Sequence, residues 1–236
     1  LQYKEIIKRK VILLATLVLT LLVYVTIKYT LPIKAESIIN DKKIILIDPG
    51  HGGYDGGADG IDGMKEKDIN LGISLKIRNT LIANGYNVVM TREEDKALLD
   101  EGKRTTTKKA QDIANRCRIK LESKADVFIS IHQNKFPQGK YYGSQVWYSK
   151  NEESKLLAHI VQQNLKTDLN NGNNRVEKPA KNDYRILTCN DTMPSILVEC
   201  GFLSNDEERR LLQDQVYQQK IADSIVKSIK AYLKEE

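Results

Sequence analysis

The sequence predicts an α/β chain, a single domain with a mostly parallel, twisted sheet of about six strands flanked by helices, preceded by an N-terminal transmembrane segment. Three observations carry this expectation. After residue 43, short apolar runs alternate with stretches whose apolar residues recur at helical spacing. Before it, "KEIIKRK" leads into seventeen residues without a charge, 11–27. The formal charge of +6 is concentrated in residues 1–34, where six basic residues face Glu5 alone, leaving the rest of the chain near balance at +1. A nearly neutral domain lacks the basic surface that phosphate neutralisation needs, so no nucleic-acid partner is expected.

Residues 1–30 read as a basic stub and an uncleaved signal anchor, because no small-x-small cleavage site follows the apolar run. Lys8, Arg9 and Lys10 then stay cytoplasmic, placing the domain outside the membrane; a cleaved signal and an exported domain are the alternative. Residues 31–42 are mostly polar and read as a linker, and 43–236 as the domain.

Within the domain the strand candidates are 44–47 (IILI), 87–91 (NVVMT), 126–131 (DVFISI), 144–148 (SQVWY), 184–188 (YRILT) and 195–198 (SILV). Ile69, Ile73, Ile77 and Leu81 repeat every four residues behind Asp68, a cap candidate, and Gly85 suits the helix exit. Further helices are expected over 107–123 and 152–169. Asn205 before "DEERRLL" supplies a cap and an acidic first turn, and Val216, Ile221, Ile225 and Ile229 give the last helix a buried stripe. Cys117, Cys189 and Cys200 show no ligand spacing; a single bridge, with Cys189 and Cys200 as the pair considered, stays open beside the plainer reading of three small buried hydrophobes.

Two of the three histidines stand just past strand ends, His51 after "IILIDPG" and His132 closing "DVFISIH". Ligands of open α/β sheets bind beyond the carboxyl ends of the strands, so both imidazoles can converge on one metal ion. One such histidine alone is more often structural; two at the same topological position leave the metal and structural readings equally open. His159, among apolar residues of a helix, reads as packed structure. Glu66, before a helix, reads by itself as a cap, with Asp48, Asp55, Asp59, Asp62 and Asp68 crowding the same region. Glu199 ends an apolar run, where a carboxylate is either a general base or half of an ion pair. The glycine-rich loop "HGGYDGGADG" matches neither GxGxxG nor GxxxxGK, and its single copy argues against a stacked calcium repeat.

Taken in order, "IDPGHGGYDGGADG", "KEKDINLGIS", "TREED", "DIANR", "ADVFISIHQN" and "MPSILVECGFLSNDEE" resemble the zinc-dependent N-acetylmuramoyl-L-alanine amidases of the amidase-3 family, across residues 43–235. The resemblance implies His51, Glu66 and His132 as ligands of one zinc ion, overturning the capping preference for Glu66, and Glu199 as the catalytic carboxylate. Asn134 in "SIHQN" and Arg175 in "NNRVEKPA" match recurring positions with supporting or substrate-facing roles. The implied reaction is cleavage of the amide between the lactyl group of N-acetylmuramic acid and L-alanine of the stem peptide, with a zinc-activated water as nucleophile. The partners implied are peptidoglycan strands, the membrane through the N-terminal helix, and a protein activator left open. The layout is most like the germination-specific spore cortex amidases. A vegetative wall amidase, a non-catalytic wall-binding module and a sugar deacetylase are the alternatives.

Overall fold

In the computed structural model, the described residues are 2–39, 42–60, 63–102, 106–170 and 172–234. The chain divides into two compact units, Leu1–Lys42 and Lys43–Glu236. The first contains one helix, α1 (Gln2–Ile39), which continues as helix over most of the stretch expected to be a linker.

Among the described residues no helix is long and apolar enough to cross a membrane. This corrects the expected transmembrane segment, and with it the membrane partner and the anchored localisation. The physical reason is length and polarity: the charge-free run of seventeen residues lies between Lys10 and Lys28. At 1.5 Å per residue it rises about 25 Å, short of the ~30 Å hydrocarbon core. Thr16, Thr20 and Thr26 also interrupt it, each turning its hydroxyl back onto a carbonyl of the preceding turn.

The second unit is a six-stranded sheet in the order β2-β1-β3-β6-β4-β5. Its strands are β1 (Ile44–Pro49), β2 (Asn87–Met90), β3 (Val127–Asn134), β4 (Gln145–Tyr148), β5 (Lys178–Pro179) and β6 (Ser195–Phe202). All adjacent pairs are parallel except β4 with β6. The central strands are unbroken apolar runs because both faces are covered. Ile45, Ile47, Val127, Ile129, Ile131, Ile196 and Val198 point to one core, and Leu46, Phe128 and Leu197 to the other.

Helices α2 (Glu66–Ala83), α4 (Glu152–Leu169), α6 (Asp206–Gln213) and α7 (Gln215–Leu233) supply the first core. Helices α3 (Lys108–Glu122) and α5 (Arg185–Thr188) supply the second. The predicted cap at Asp68 is displaced: α2 starts at Glu66, with Lys65 at the N-cap and no side-chain cap bond. Asn205 does cap α6, accepting from the amides of Glu207 and Glu208. In α7, Ile221, Ile225 and Ile229 are fully buried, but Val216 is 65% exposed and Tyr217 takes its place in the core.

The run 184–188 is a helical turn rather than a strand, with Leu187 N and Thr188 N both donating to the Tyr184 carbonyl. An apolar run that short carries no periodicity to separate the two states. The sixth strand is instead the two-residue β5, paired through Trp147 with Lys178 and Tyr148 with Pro179. The disulfide also differs from the pair considered: Cys117 joins Cys189, with Cα atoms 6.0 Å apart, and Cys200 is free and buried. Strand alternation explains it, since Cys200 faces the first core while Cys117 and Cys189 lie at the second.

Candidate metal centre and its carboxylate

Three neighbouring parallel strands end at one rim, and the site is built there. Asp48 and Pro49 close β1 and turn the chain through Gly50 into His51, whose φ of 60° is left-handed. A non-glycine residue rarely holds that conformation, and here it is fixed by its carbonyl, which accepts from Arg116 Nη2 at 2.6 Å. His132 on β3 and Glu199 on β6 are direct register partners.

His51, Glu66 and His132 each offer a ligand atom, all within 4.8 Å of one another, a group that could hold a metal ion. Glu66 sits between the two rings, with Oε2 3.3 Å from His51 Nε2 and Oε1 2.9 Å from His132 Nδ1. The ring centroids are 4.9 Å apart, edge to face. Ala58 N donates to Oε2 at 2.8 Å, and Gln133 N and Asn70 Nδ2 donate to Oε1 at 3.0 and 3.2 Å. Glu66 therefore uses the start of α2 as a platform, not as a cap. Burial alone would raise its pKa, but the two histidines hold its carboxyl well below the usual carboxylate range.

On the outer side of His51, Nδ1 lies 2.9 Å from Asp55 Oδ2. A carboxylate there fixes the tautomer and turns Nε2 inward, the arrangement that orients metal-binding histidines. Burial disfavours the imidazolium of His51, but Glu66 and then Asp55 outweigh it and raise its pKa to about 9.

Glu199 is 7% exposed. The Tyr184 hydroxyl is 3.5 Å from its Oε1, while Oε2 is buried with no hydrogen-bond partner among the described residues. Burial pushes the Glu199 pKa up to about 7; the imidazoles of His132 and His51 pull against this and Glu66 adds to it. No lysine or arginine pairs with it among the described residues, so the ion-pair alternative fails. A carboxyl held near neutrality both accepts and returns protons.

Beneath this rim two guanidiniums hold the "DPGH" backbone. Arg92 donates to the carbonyls of Pro49 and Gly50 at 3.0 Å each, and to that of Lys67 at 2.9 Å. Arg116 Nη1 lies 2.6 Å from Asp48 Oδ1, and Nη1 also donates to the Pro49 carbonyl at 2.9 Å. Asp48 is further bonded by the hydroxyls of Ser130 and Thr91, both at 2.7 Å. Arg92 and Arg116 were marked in the sequence only by "TREED" and "DIANR", without showing which carbonyls they serve, and Asp48 and Asp55 only as two of the acids crowding the loop. A cavity of about 270 Å³ opens beside His51 and His132 and is walled by Arg116, Tyr184 and Ile186.

The remaining predicted residues lie apart from this cluster. Asn134 ends β3, where its carbonyl accepts from Leu203 N. Arg175 donates to the Tyr142 carbonyl at 2.8 Å and stacks on Phe202, lining a separate groove with Lys140 and Tyr141. His159 is not packed against the core: its side chain is 56% exposed and meets Glu177 Oε1 at 3.0 Å.

A sequence model of the Amidase_3 family, described as N-acetylmuramoyl-L-alanine amidase, matches residues 45–231. The chain is 41% identical over 197 residues to a germination-specific N-acetylmuramoyl-L-alanine amidase of Bacillus subtilis strain 168, covering 82% of this chain and 81% of that protein. Among solved structures, it matches the CwlD amidase of Clostridioides difficile, solved in complex with the GerS lipoprotein, at 44% identity and a TM-score of 0.78, covering 82% of this chain and 99% of that one. An N-acetylmuramoyl-L-alanine amidase of Clostridium difficile 630 matches at 30% identity and a TM-score of 0.72, covering 83% of this chain and 99% of that one. With a family match that spans nearly all of the second unit and these relatives covered over most of their length, the chain belongs to the Amidase_3 family of N-acetylmuramoyl-L-alanine amidases.

Proposed function

We infer that the unit Lys43–Glu236 is a catalytic domain that hydrolyses peptidoglycan at the amide between the lactyl group of N-acetylmuramic acid and L-alanine, with one zinc ion held by His51, Glu66 and His132. Two ring nitrogens and one carboxylate are a donor set that suits catalytic zinc, and the carboxylate contact on His51 Nδ1 fits such a ligand. When bound, zinc supplies Lewis-acid polarisation of the scissile carbonyl and makes water more acidic. The protein's own work is to place and move protons. Asp55 keeps the His51 proton on Nδ1 and away from the centre. Glu199 Oε2 accepts the proton of the attacking water and returns it to the departing amine of L-alanine.

The observation that carries this reading is Glu199: buried, its pKa raised to about 7, without a cationic partner among the described residues, and in register with His132. Asn134 and Arg175 are proposed to face the substrate beyond the centre. The name of the Bacillus subtilis relative supports spore cortex as the peptidoglycan acted on, with vegetative wall the competing substrate. The complex formed by the Clostridioides difficile relative supports a lipoprotein partner for this chain as well.

The test is mass analysis of products from denuded cortex and vegetative peptidoglycan incubated with zinc-loaded protein. Free stem peptide beginning with L-alanine is expected, faster from cortex, and Glu199→Gln is expected to slow its release by at least a hundredfold. Acetate in place of peptide, or a Glu199→Gln rate within a few-fold of the parent, would overturn the reading.

A further inference from the structure

Tyr184 and the segment behind it are not used by the mechanism above, yet they touch its central group. The Tyr184 hydroxyl stands 3.5 Å from Glu199 Oε1, its ring packs on Trp147 with centroids 5.4 Å apart, and it walls the cavity beside the two histidines. It stands at the N-cap of α5, a single turn too short to hold itself in place.

What holds the turn is α3. The Cys117–Cys189 disulfide joins its last residue flank to α3. Lys120 Nζ, on the same helix, is fully buried and donates to the carbonyls of Ile186 and Cys189 at 3.1 Å each, over the Phe128 ring at 4.7 Å. Asn190 Nδ2 closes the set on the Cys117 carbonyl at 2.8 Å. A buried lysine and a crosslink thus hold a four-residue turn whose N-cap, Tyr184, reaches Glu199.

A glutamate carboxylate can turn about its last torsion and exchange its two oxygens. One donor on Oε1 breaks that equivalence and leaves Oε2, which has no partner among the described residues, as the oxygen that can take a proton. At 3.5 Å the contact is long, as catalytic hydrogen bonds often are before substrate seats. We propose that Tyr184 is a positioning residue, whose hydroxyl holds Glu199 Oε1 so that Oε2 alone takes the proton, and that the Cys117–Cys189 crosslink keeps Tyr184 there. The proposal rests on Glu199 as the proton acceptor.

The experiment is steady-state kinetics of the zinc-loaded full chain on a soluble N-acetylmuramoyl peptide. Tyr184→Phe keeps the ring against Trp147 and removes only the hydroxyl; kcat is expected to fall about tenfold, with KM within twofold and zinc content and Tm unchanged. A kcat within twofold of the parent overturns the positioning role. The pair Cys117→Ala and Cys189→Ala, assayed well below its own Tm, is expected to lower kcat at least threefold in the parent and to change it less than twofold in the Tyr184→Phe background. Equal factors in both backgrounds overturn the role of the crosslink. Glu199→Gln separates the two levels. If it stays active, the underlying reading fails; if it is inactive while Tyr184→Phe is not slowed, only this inference fails.

Discussion

The Arg116 guanidinium reaches Asp48 with one nitrogen and the His51 carbonyl with the other, both at 2.6 Å, so one side chain from α3 ties the end of β1 to the backbone of a metal-ligand candidate. Both charged groups are almost fully buried. Their geometry is what offsets the cost of desolvating them, since each also finds neutral partners: Ser130 and Thr91 for Asp48, the Pro49 carbonyl for Arg116.

Removing the cation leaves Asp48 ionised and unpaired in the interior. Arg116→Met is expected to destabilise the chain by about 3–5 kcal/mol in urea titrations, and to release the left-handed turn at His51. Arg116→Lys cannot span the same fork and should lose zinc retention even where it folds. A loss below about 1 kcal/mol for Arg116→Met would show that the pair is not the tie described.

The same pair sets an acid limit. Burial raises the Asp48 pKa, but Arg116, Ser130 and Thr91 outweigh it and lower the value to about 2, against 3.8 for an ordinary aspartate. The folded chain thus holds fewer protons on Asp48 than the unfolded chain between those values. The stabilisation, on the order of 2 kcal/mol, is fully present above pH 4 and is lost as the pH falls through about 2. In Asp48→Asn, the decline of urea stability between pH 4 and 2 should be shallower by roughly that amount. An unchanged slope would assign the acid sensitivity to other groups.

How much of this was legible depends on the range of the interaction. β1, β3 and β6 show in the sequence because a strand covered on both faces must be apolar at every position. His51 and His132 show because strand ends are a topological landmark. Glu66 does not: the start of a helix explains an acid there, and only the ordered family motifs point to metal. Arg92, Arg116 and Asp55 act on backbone or ring atoms brought near by the fold, and no local pattern encodes such a partner. The turn at Arg185–Thr188 and the Cys117–Cys189 link depend on which face of the sheet a segment crosses, which a run of four residues does not reveal. The basic apolar N-terminus misled in another way, because its polarity pattern resembles an anchor while its length falls short.

Asp55, which also accepts from the Gly57 amide at 3.1 Å, is expected to act on the centre through His51. Asp55→Asn keeps a hydrogen-bond acceptor beside Nδ1 but removes the charge that favours the required tautomer. Zinc affinity should fall about 10–100-fold, as read by competition with a chromogenic chelator. The zinc-saturated rate should change much less. An affinity within twofold of the parent would mean that Asp55 serves the loop and not the ligand.

Zinc affinity should also depend on pH in a defined direction. In the metal-free chain the His51 pKa is raised to about 9 despite burial, because Glu66 and Asp55 favour the imidazolium. A ligand must be neutral, so below about pH 9 one proton leaves as zinc binds. Apparent affinity is then expected to drop about tenfold per unit as the pH is lowered from 8.5 to 6.5. Calorimetry in buffers of different ionisation enthalpy counts that proton directly. A flat profile, with no proton released, would exclude this coupling.

The last prediction concerns Gly57, where the loop crosses over the centre with a φ of 72°. A methyl group there would lie 2.5 Å from Glu66 Oε2 and 2.7 Å from His51 Cδ2, distances at which something must move. Neither neighbour can give way freely: Glu66 is held by three N–H donors and His51 by Asp55 and Arg116. The left-handed backbone adds about 1 kcal/mol of strain for any side chain. Gly57→Ala should therefore lose zinc occupancy and activity together while costing only about 1–3 kcal/mol of stability, since Gly57 itself belongs to neither core. Gly63, also left-handed at φ 76° but with nothing among the described residues within 4 Å of an added methyl, is the control. Gly63→Ala should pay the same backbone strain and keep its zinc. If both variants lost zinc equally, backbone strain and not the crowding of Glu66 and His51 would be the cause.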